Sequence, residues 1–214
     1  MRRPLRVLLA VVVAVLPVLV VALADLPFVP AAEARLEHQT GTAAKAAPVE
    51  VEIGTFPVVG RALLLGEVAS VEITWFGVKV GAIQATSRRL ELNGVGFDRG
   101  ALLGGEARIT GVESGEIRVL IAPSQLGPFF DRDVFVEAGK VRLRLTQDAV
   151  VDLEVSATSR GLVLAAAGVA PVTVELGSDI PCAPTVEVEQ SGLLLHCSFR
   201  GLPPILNGRI TAPA

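Results

Sequence analysis

Tyrosine is absent from this 214-residue chain, tryptophan and methionine occur once each, histidine and cysteine twice, and aromatic residues make up only 4%. These are the side chains that most often carry protons, ligate metals or stack on bases, so no cofactor and no metal site is expected, and an enzyme is disfavoured. Charge is scarce as well. Charged residues are 19%, the formal net charge is -3, and the one run of basic residues lies at the extreme N-terminus, which leaves no electrostatic grip for nucleic acid. What remains is apolar: hydrophobic residues are 51% of the chain, enough for a sizeable core, and disorder is excluded.

Arg2, Arg3 and Arg6 precede an unbroken apolar stretch from Val7 to Ala24, closed by Asp25, which is the basic and then hydrophobic order of an export signal. As a helix the stretch would reach roughly 27 Å, close to the roughly 30 Å of a bilayer core, so length alone does not separate a cleaved signal from a retained anchor. Ala22-Leu23-Ala24 has the small-x-small form of a cleavage site, and Pro17 suits a transient helix better than a permanent one. Residues 1–24 are therefore expected to be an export signal or membrane anchor, residues 25–48 a linker, and residues 49–214 the folded domain. In an oxidising compartment, Cys182 and Cys197 are most simply a disulfide, worth roughly 3 kcal/mol in the chain-entropy account. A thiol nucleophile served by His196 is a poorer reading, because neighbours in a strand face opposite ways. A metal site lacks further ligands, since His38 lies in the linker.

Period-two alternation begins at Val49, Val51 and Ile53 against Glu50 and Glu52. Phe56-Pro57 then opens an apolar run through Leu65 that Gly66 closes, with the boundary marks of a helix dry on nearly all sides. Strands are expected over 68–76, 78–85, 89–92, 107–111, 116–122, 140–146, 150–157, 163–167, 172–176, 186–189 and 193–199. Short helices are expected at 123–130, with Ser124 as cap, and at 202–208. The alternation of Val141, Leu143 and Leu145 with Lys140, Arg142 and Arg144, set against Asp152 and Glu154, predicts a hairpin with opposite charges across it. The fold class expected is α+β: a long curled antiparallel sheet, running as a meander and wrapped on one main and two short helices.

No motif rises to a catalytic signature. The glycines from Gly94 to Gly100 superficially resemble a dinucleotide loop with the wrong spacing, and Gly111 to Gly115 frames a serine without the nucleophile-elbow spacing; both read as turns. Arg88 and Arg89 could meet anionic headgroups, but solubility and cross-strand pairing explain them equally well. Trp75-Phe76 and Phe129-Phe130 stand where bulky groups line either a core or the mouth of a cavity.

Several segments, taken in order, carry a resemblance. Val51-Glu52-Ile53-Gly54-Thr55-Phe56-Pro57 leads into the apolar helix, Gly66 and Val68-Ala69-Ser70-Val71-Glu72-Ile73. Leu90 to Val95, Ala122 to Leu126, Ile180-Pro181 and Gly192-Leu193 follow. This order, over roughly residues 49 to 210, resembles the LmeA-like phospholipid-binding family of exported actinobacterial proteins. Thr55 stands where that family usually has Gly, and the usual aromatic after the second Gly is absent. The resemblance implies an elongated antiparallel sheet wrapped on helices, similar to tubular lipid-binding folds, that handles phospholipids without catalysis.

The expected function is thus non-enzymatic phospholipid binding in the cell envelope or periplasm, the protein being exported and either membrane-anchored or secreted. Its expected partners are phospholipid and the membrane surface, with the protein a monomer. Acyl chains would lie in an apolar trough between the 58–65 helix and the sheet, against Val59, Leu63, Leu64, Trp75, Phe76, Leu126, Phe129 and Phe130, with Arg61 at the headgroup. Burying a sixteen-carbon tail is worth on the order of 12 kcal/mol, so such a trough needs few polar contacts. The alternative is a membrane-tethered structural or protein-interaction module. A hydrolase would need a Ser-His pair, for which only His38 and His196 are available.

Overall fold

The structure is a computed structural model; it describes residues 33–34, 48–54, 61–62, 65–103, 108–158, 161–177 and 180–202. Antiparallel strands dominate, with few short helices. A six-stranded sheet has the order β1 (Val49–Ile53), β2 (Glu67–Phe76), β5 (Ser87–Phe97), β6 (Ile109–Ile121), β13 (Gly192–Arg200), β12 (Thr185–Glu189). A five-stranded sheet has the order β11 (Val169–Glu175), β10 (Gly161–Ala166), β9 (Val150–Ala157), β8 (Lys140–Arg144), β7 (Val134–Glu137), and a hairpin of β3 (Lys79–Val80) and β4 (Ile83–Gln84) forms a third sheet. The expected single meander is therefore divided, and β13 returns from the far end of the chain to pair with β6. β12 runs close to β9, and the buried faces of both large sheets contribute to one hydrophobic core.

The strands form where alternation predicts them. Val49, Val51 and Ile53 lie opposite Trp75, Ile73 and Val71, while Glu50 and Glu52 face solvent. The dry row continues across the sheet: Ile73 neighbours Leu90, Leu90 neighbours Ile117, and Ile117 neighbours Cys197. At the other end of the three long strands the buried row is Val68, Val95 and Val112, three residues away from Val71, Leu92 and Gly115 along each strand. An odd offset along a strand reverses the face, so the sheet buries one side at one end and the opposite side at the other. Buried Ala62 and the short helix α1 (Arg99–Leu103) lie next to that second end in the chain. Asp98 caps α1 by accepting from the Gly100 and Ala101 N–H groups at 2.9 and 3.2 Å.

Two segments expected to be turns lie inside strands. Gly94 to Phe97 belongs to β5, and Gly111 to Gly115 to β6. Gly115 is there because Phe199 of β13 lies across it: a Cβ at this position would fall 2.3 Å from the ring. The single strand expected over 78–85 is instead the β3–β4 hairpin, turned at Gly81, whose φ is +60°. Val80, Ile83 and Ala85 are fully buried, and the Ala82 N–H donates to the Glu175 carbonyl at 3.1 Å, which fixes this hairpin against the end of β11.

Arg61 and Ala62 are helical, and the N–H groups of Leu65 and Gly66 close on the Arg61 carbonyl, so the helix ends at Gly66 as expected. Most of that helix, and residues 203–208, lie outside the described residues. The 123–130 segment forms two 3-10 turns, Pro123–Gln125 and Gly127–Phe129. Ser124 does not cap the first; Ala122 precedes it without a side-chain cap, and Pro123 sets the entry. The Cys182–Cys197 disulfide is present, tying β13 to the segment that leads into β12.

Candidate functional site

The residues named from the sequence separate by strand parity. Trp75 is 2% exposed on the dry side of β2, and its neighbour Phe76, on the other face, is 37% exposed. Leu126 is fully buried between the two 3-10 turns, and half-buried Phe129 and Phe130 pack against the same hydrophobic core that holds Trp75. Trp75, Leu126, Phe129 and Phe130 thus meet one apolar interior, and Phe76 leaves it. Val59, Leu63 and Leu64 lie outside the described residues. Arg61 is partly exposed and paired with Glu67 at 3.0 Å, so its guanidinium is held toward solvent beside the start of β2.

Arg88 was hidden by the sequence pattern. It sits in the dry row between Trp75 and Val119, only 5% exposed, with its guanidinium 5.5 Å from the centroid of the Trp75 ring. Adjacent Arg89 points the other way and pairs with Glu72. The signal available was parity: Leu90 and Leu92 are buried, so Arg88 falls in register with them. A cation over the face of an indole is an attraction that strengthens as water is removed. The Trp75 indole N–H is itself buried and has no hydrogen-bond partner among the described residues.

Openings lie at two places among the described residues that bear on the site. One, of about 260 Å³, lies between Glu33, Glu50, Glu52 and Glu72, an acidic lining hostile to both acyl chains and phosphate. The other, of about 760 Å³, lies where the 3-10 turns meet β7 and β8. Its charged lining is balanced: Arg132 and Arg144 against Asp131 and Asp133, with Arg144 3.7 Å from Asp133 and 5.3 Å from the Phe135 ring centroid.

The solvent face of the six-stranded sheet carries two parallel rows of charge. Glu52, Glu72, Glu91 and Glu116 are successive cross-strand neighbours, an arrangement that repels itself. Beside them run Arg89, Arg118 and His196. Arg118 forks onto Glu116 at 2.7 and 3.2 Å, and this hydrogen bond, with the attraction behind it, holds the Glu116 carboxyl below its ordinary value and raises Arg118. His196 Nε2 contacts both the Thr185 hydroxyl, at 2.8 Å, and Glu187, at 3.2 Å. A nucleophile, base and orienting acid require the two ring nitrogens to be used separately; here one nitrogen serves both neighbours on an open sheet face. Among the described residues no cluster of His, Cys, Asp and Glu could hold a metal ion, and no helix is long and apolar enough to cross a membrane.

Residues 23–195 match the LmeA-like phospholipid-binding family. The chain belongs to that family. The match runs from before β1 into the first half of β13, taking in the five-stranded sheet, most of the six-stranded one and Cys182, and it ends before Cys197. It is a lipid-binding family rather than an enzyme family. Neither a curated protein nor a solved structure was found to match.

Proposed function

We propose that this protein is a non-enzymatic phospholipid carrier or holder of the cell envelope, exported across the membrane and either released or retained by residues 1–24. Membership of the LmeA-like phospholipid-binding family is the observation that carries this reading. The acyl chains lie in an apolar trough between the helix ending at Gly66 and the dry face of the sheet. Arg61 is held at the solvent edge of that helix while Ala62 is buried, which is the orientation such a helix needs. The disulfide supports an oxidising compartment.

The test is direct. Protein purified without detergent is extracted into organic solvent, and the extract is analysed by mass spectrometry; delipidated protein is then offered labelled phospholipid vesicles. Phospholipid in the extract and stoichiometric uptake are the expected results. A clean extract with no uptake would overturn the reading and favour a tethered structural or protein-interaction module.

A further inference from the structure

We infer that the corner where the helix ends at Gly66 is the surface by which this protein docks on an anionic bilayer, with Leu65 entering the headgroup layer and Arg99 meeting lipid phosphate. This deepens the phospholipid-binding reading and rests on it: a carrier must meet the membrane at the mouth of its trough, and the helix that ends here bounds that trough.

Leu65 is 57% exposed, more than any other large hydrophobic side chain among the described residues. Its N–H donates to the Arg61 carbonyl at 2.9 Å, which puts Arg61 one helical turn before it. Arg99 lies across the next residue: a Cβ on Gly66 would fall 3.0 Å from the Arg99 Nε and 3.2 Å from its Cγ. The Phe97 N–H donates to the Gly66 carbonyl at 2.6 Å, so Asp98, with Arg108 3.9 Å away, belongs to the same corner. Two of these arginines face carboxylates, Arg61 at Glu67 and Arg108 at Asp98. Arg99 is exposed and makes no ion pair among the described residues. A lone exposed leucine is ordinary on a protein surface, but one beside an uncompensated cation suits the boundary of an anionic membrane, where the side chain leaves water and the charge gains from the surface potential.

The chain that precedes the sheet leads to the same side. Glu33 accepts from the Ile53 N–H at 3.2 Å, and Ile53 is the end of β1 nearer to Gly66. From Ala24, where the apolar stretch closes, the chain to Glu33 spans at most roughly 30 Å. Wherever residues 1–24 stay in the bilayer, this end of the sheet is within reach of its surface.

The test uses the full chain with vesicles of phosphatidylglycerol brominated in its acyl chains, which quench tryptophan only at short range. Leu65→Trp reports on the corner, and Phe76→Trp reports on a second exposed position at the opposite end of β2, roughly 30 Å away. Trp75, the only native tryptophan, is buried and supplies a background measured with the unaltered chain. Quenching at position 65 is expected to exceed that at position 76 about threefold or more, and to weaken in brominated phosphatidylcholine. Adding Arg99→Gln to Leu65→Trp should move the ratio of docked to undocked protein about fivefold toward undocked, read as lost quenching, and Arg99→Lys should keep it. Quenching at position 76 equal to or above that at 65, indifference to Arg99→Gln, or quenching that stays with protein in the supernatant once the vesicles are pelleted would overturn the inference. Phospholipid extracted from the same preparations separates the two readings. Protein that carries phospholipid without the contrast between positions loses only this docking surface, whereas protein that docks through Leu65 and neither carries nor takes up phospholipid removes the reading on which the inference rests.

Discussion

Ala138 sits in the left-handed backbone region at φ 52°, followed by Gly139 at φ 73°, and together they form the two-residue turn that joins β7 to β8. A left-handed conformation costs a residue with a Cβ roughly 1–2 kcal/mol, and asparagine relieves much of it through local hydrogen bonding. Ala138→Asn is therefore expected to stabilise the protein by about 1 kcal/mol, seen as a higher urea midpoint at unchanged slope. Glu116 answers to the same local reasoning with opposite consequence. Its folded carboxyl is depressed chiefly by the Arg118 hydrogen bond. The stability this contributes is present above the unfolded value near 4.5 and is lost as pH falls through the lower folded value. Glu116→Gln should remove that part of the acid sensitivity: denaturation curves between neutral pH and pH 3 would fall less steeply for the variant. An identical pH dependence would show that the pair is fully screened by solvent.

At the scale of elements, the two features that fasten the strands together were unequally legible. The charged hairpin of β8 and β9 was readable because both strands lie close in sequence and alternate cleanly; Arg142 lies opposite Asp152, and Lys140 reaches the same carboxylate. The β3–β4 hairpin was not, because eight mostly apolar residues fit a strand equally well and only the approach of β11 decides where the chain must reverse. A Cβ on Gly81 would meet the Glu175 carbonyl oxygen at 2.0 Å. Gly81→Val should cost roughly 2 kcal/mol or more, since both the backbone conformation and the contact are lost. The disulfide fastens a different pair of segments, β13 and the lead into β12. It closes a separation of 15 residues, so the double variant Cys182→Ala, Cys197→Ala should lose about 3 kcal/mol. Equilibrium unfolding would measure that loss, and a far-UV spectrum unchanged from the parent would show that the strands still form.

For the whole molecule, local pattern identified most strands and their dry faces but not their partition into sheets. Where β13 inserts depends on a pairing with β6 across a long stretch of chain, and no short window of sequence encodes it. Gly115 illustrates why. Its neighbours Ser114 and Glu113 spell a turn in isolation, and only the ring of Phe199, supplied from the far end of the chain, turns that glycine into a strand position. Arg88 has the same origin: its charge suggests surface until β2 and β6 are placed on either side. This topology makes its own prediction about stability. β5 is paired on both edges along nearly its whole length and β6 from Ser114 to Leu120, and β13 is held by β6, β12 and the disulfide. β1 and β12 lie at the sheet's two ends, and β12 exposes most of its residues. Amide hydrogens of β5 and β6 should therefore exchange only through global unfolding, whereas β12 should open locally at much lower free energy, its attachment to β13 notwithstanding. Hydrogen exchange followed by mass spectrometry resolves these segments. Protection in β12 equal to that in β6 would mean that its approach to β9 seals the two sheets into a single cooperative unit, and the division into sheets would then describe hydrogen bonding alone.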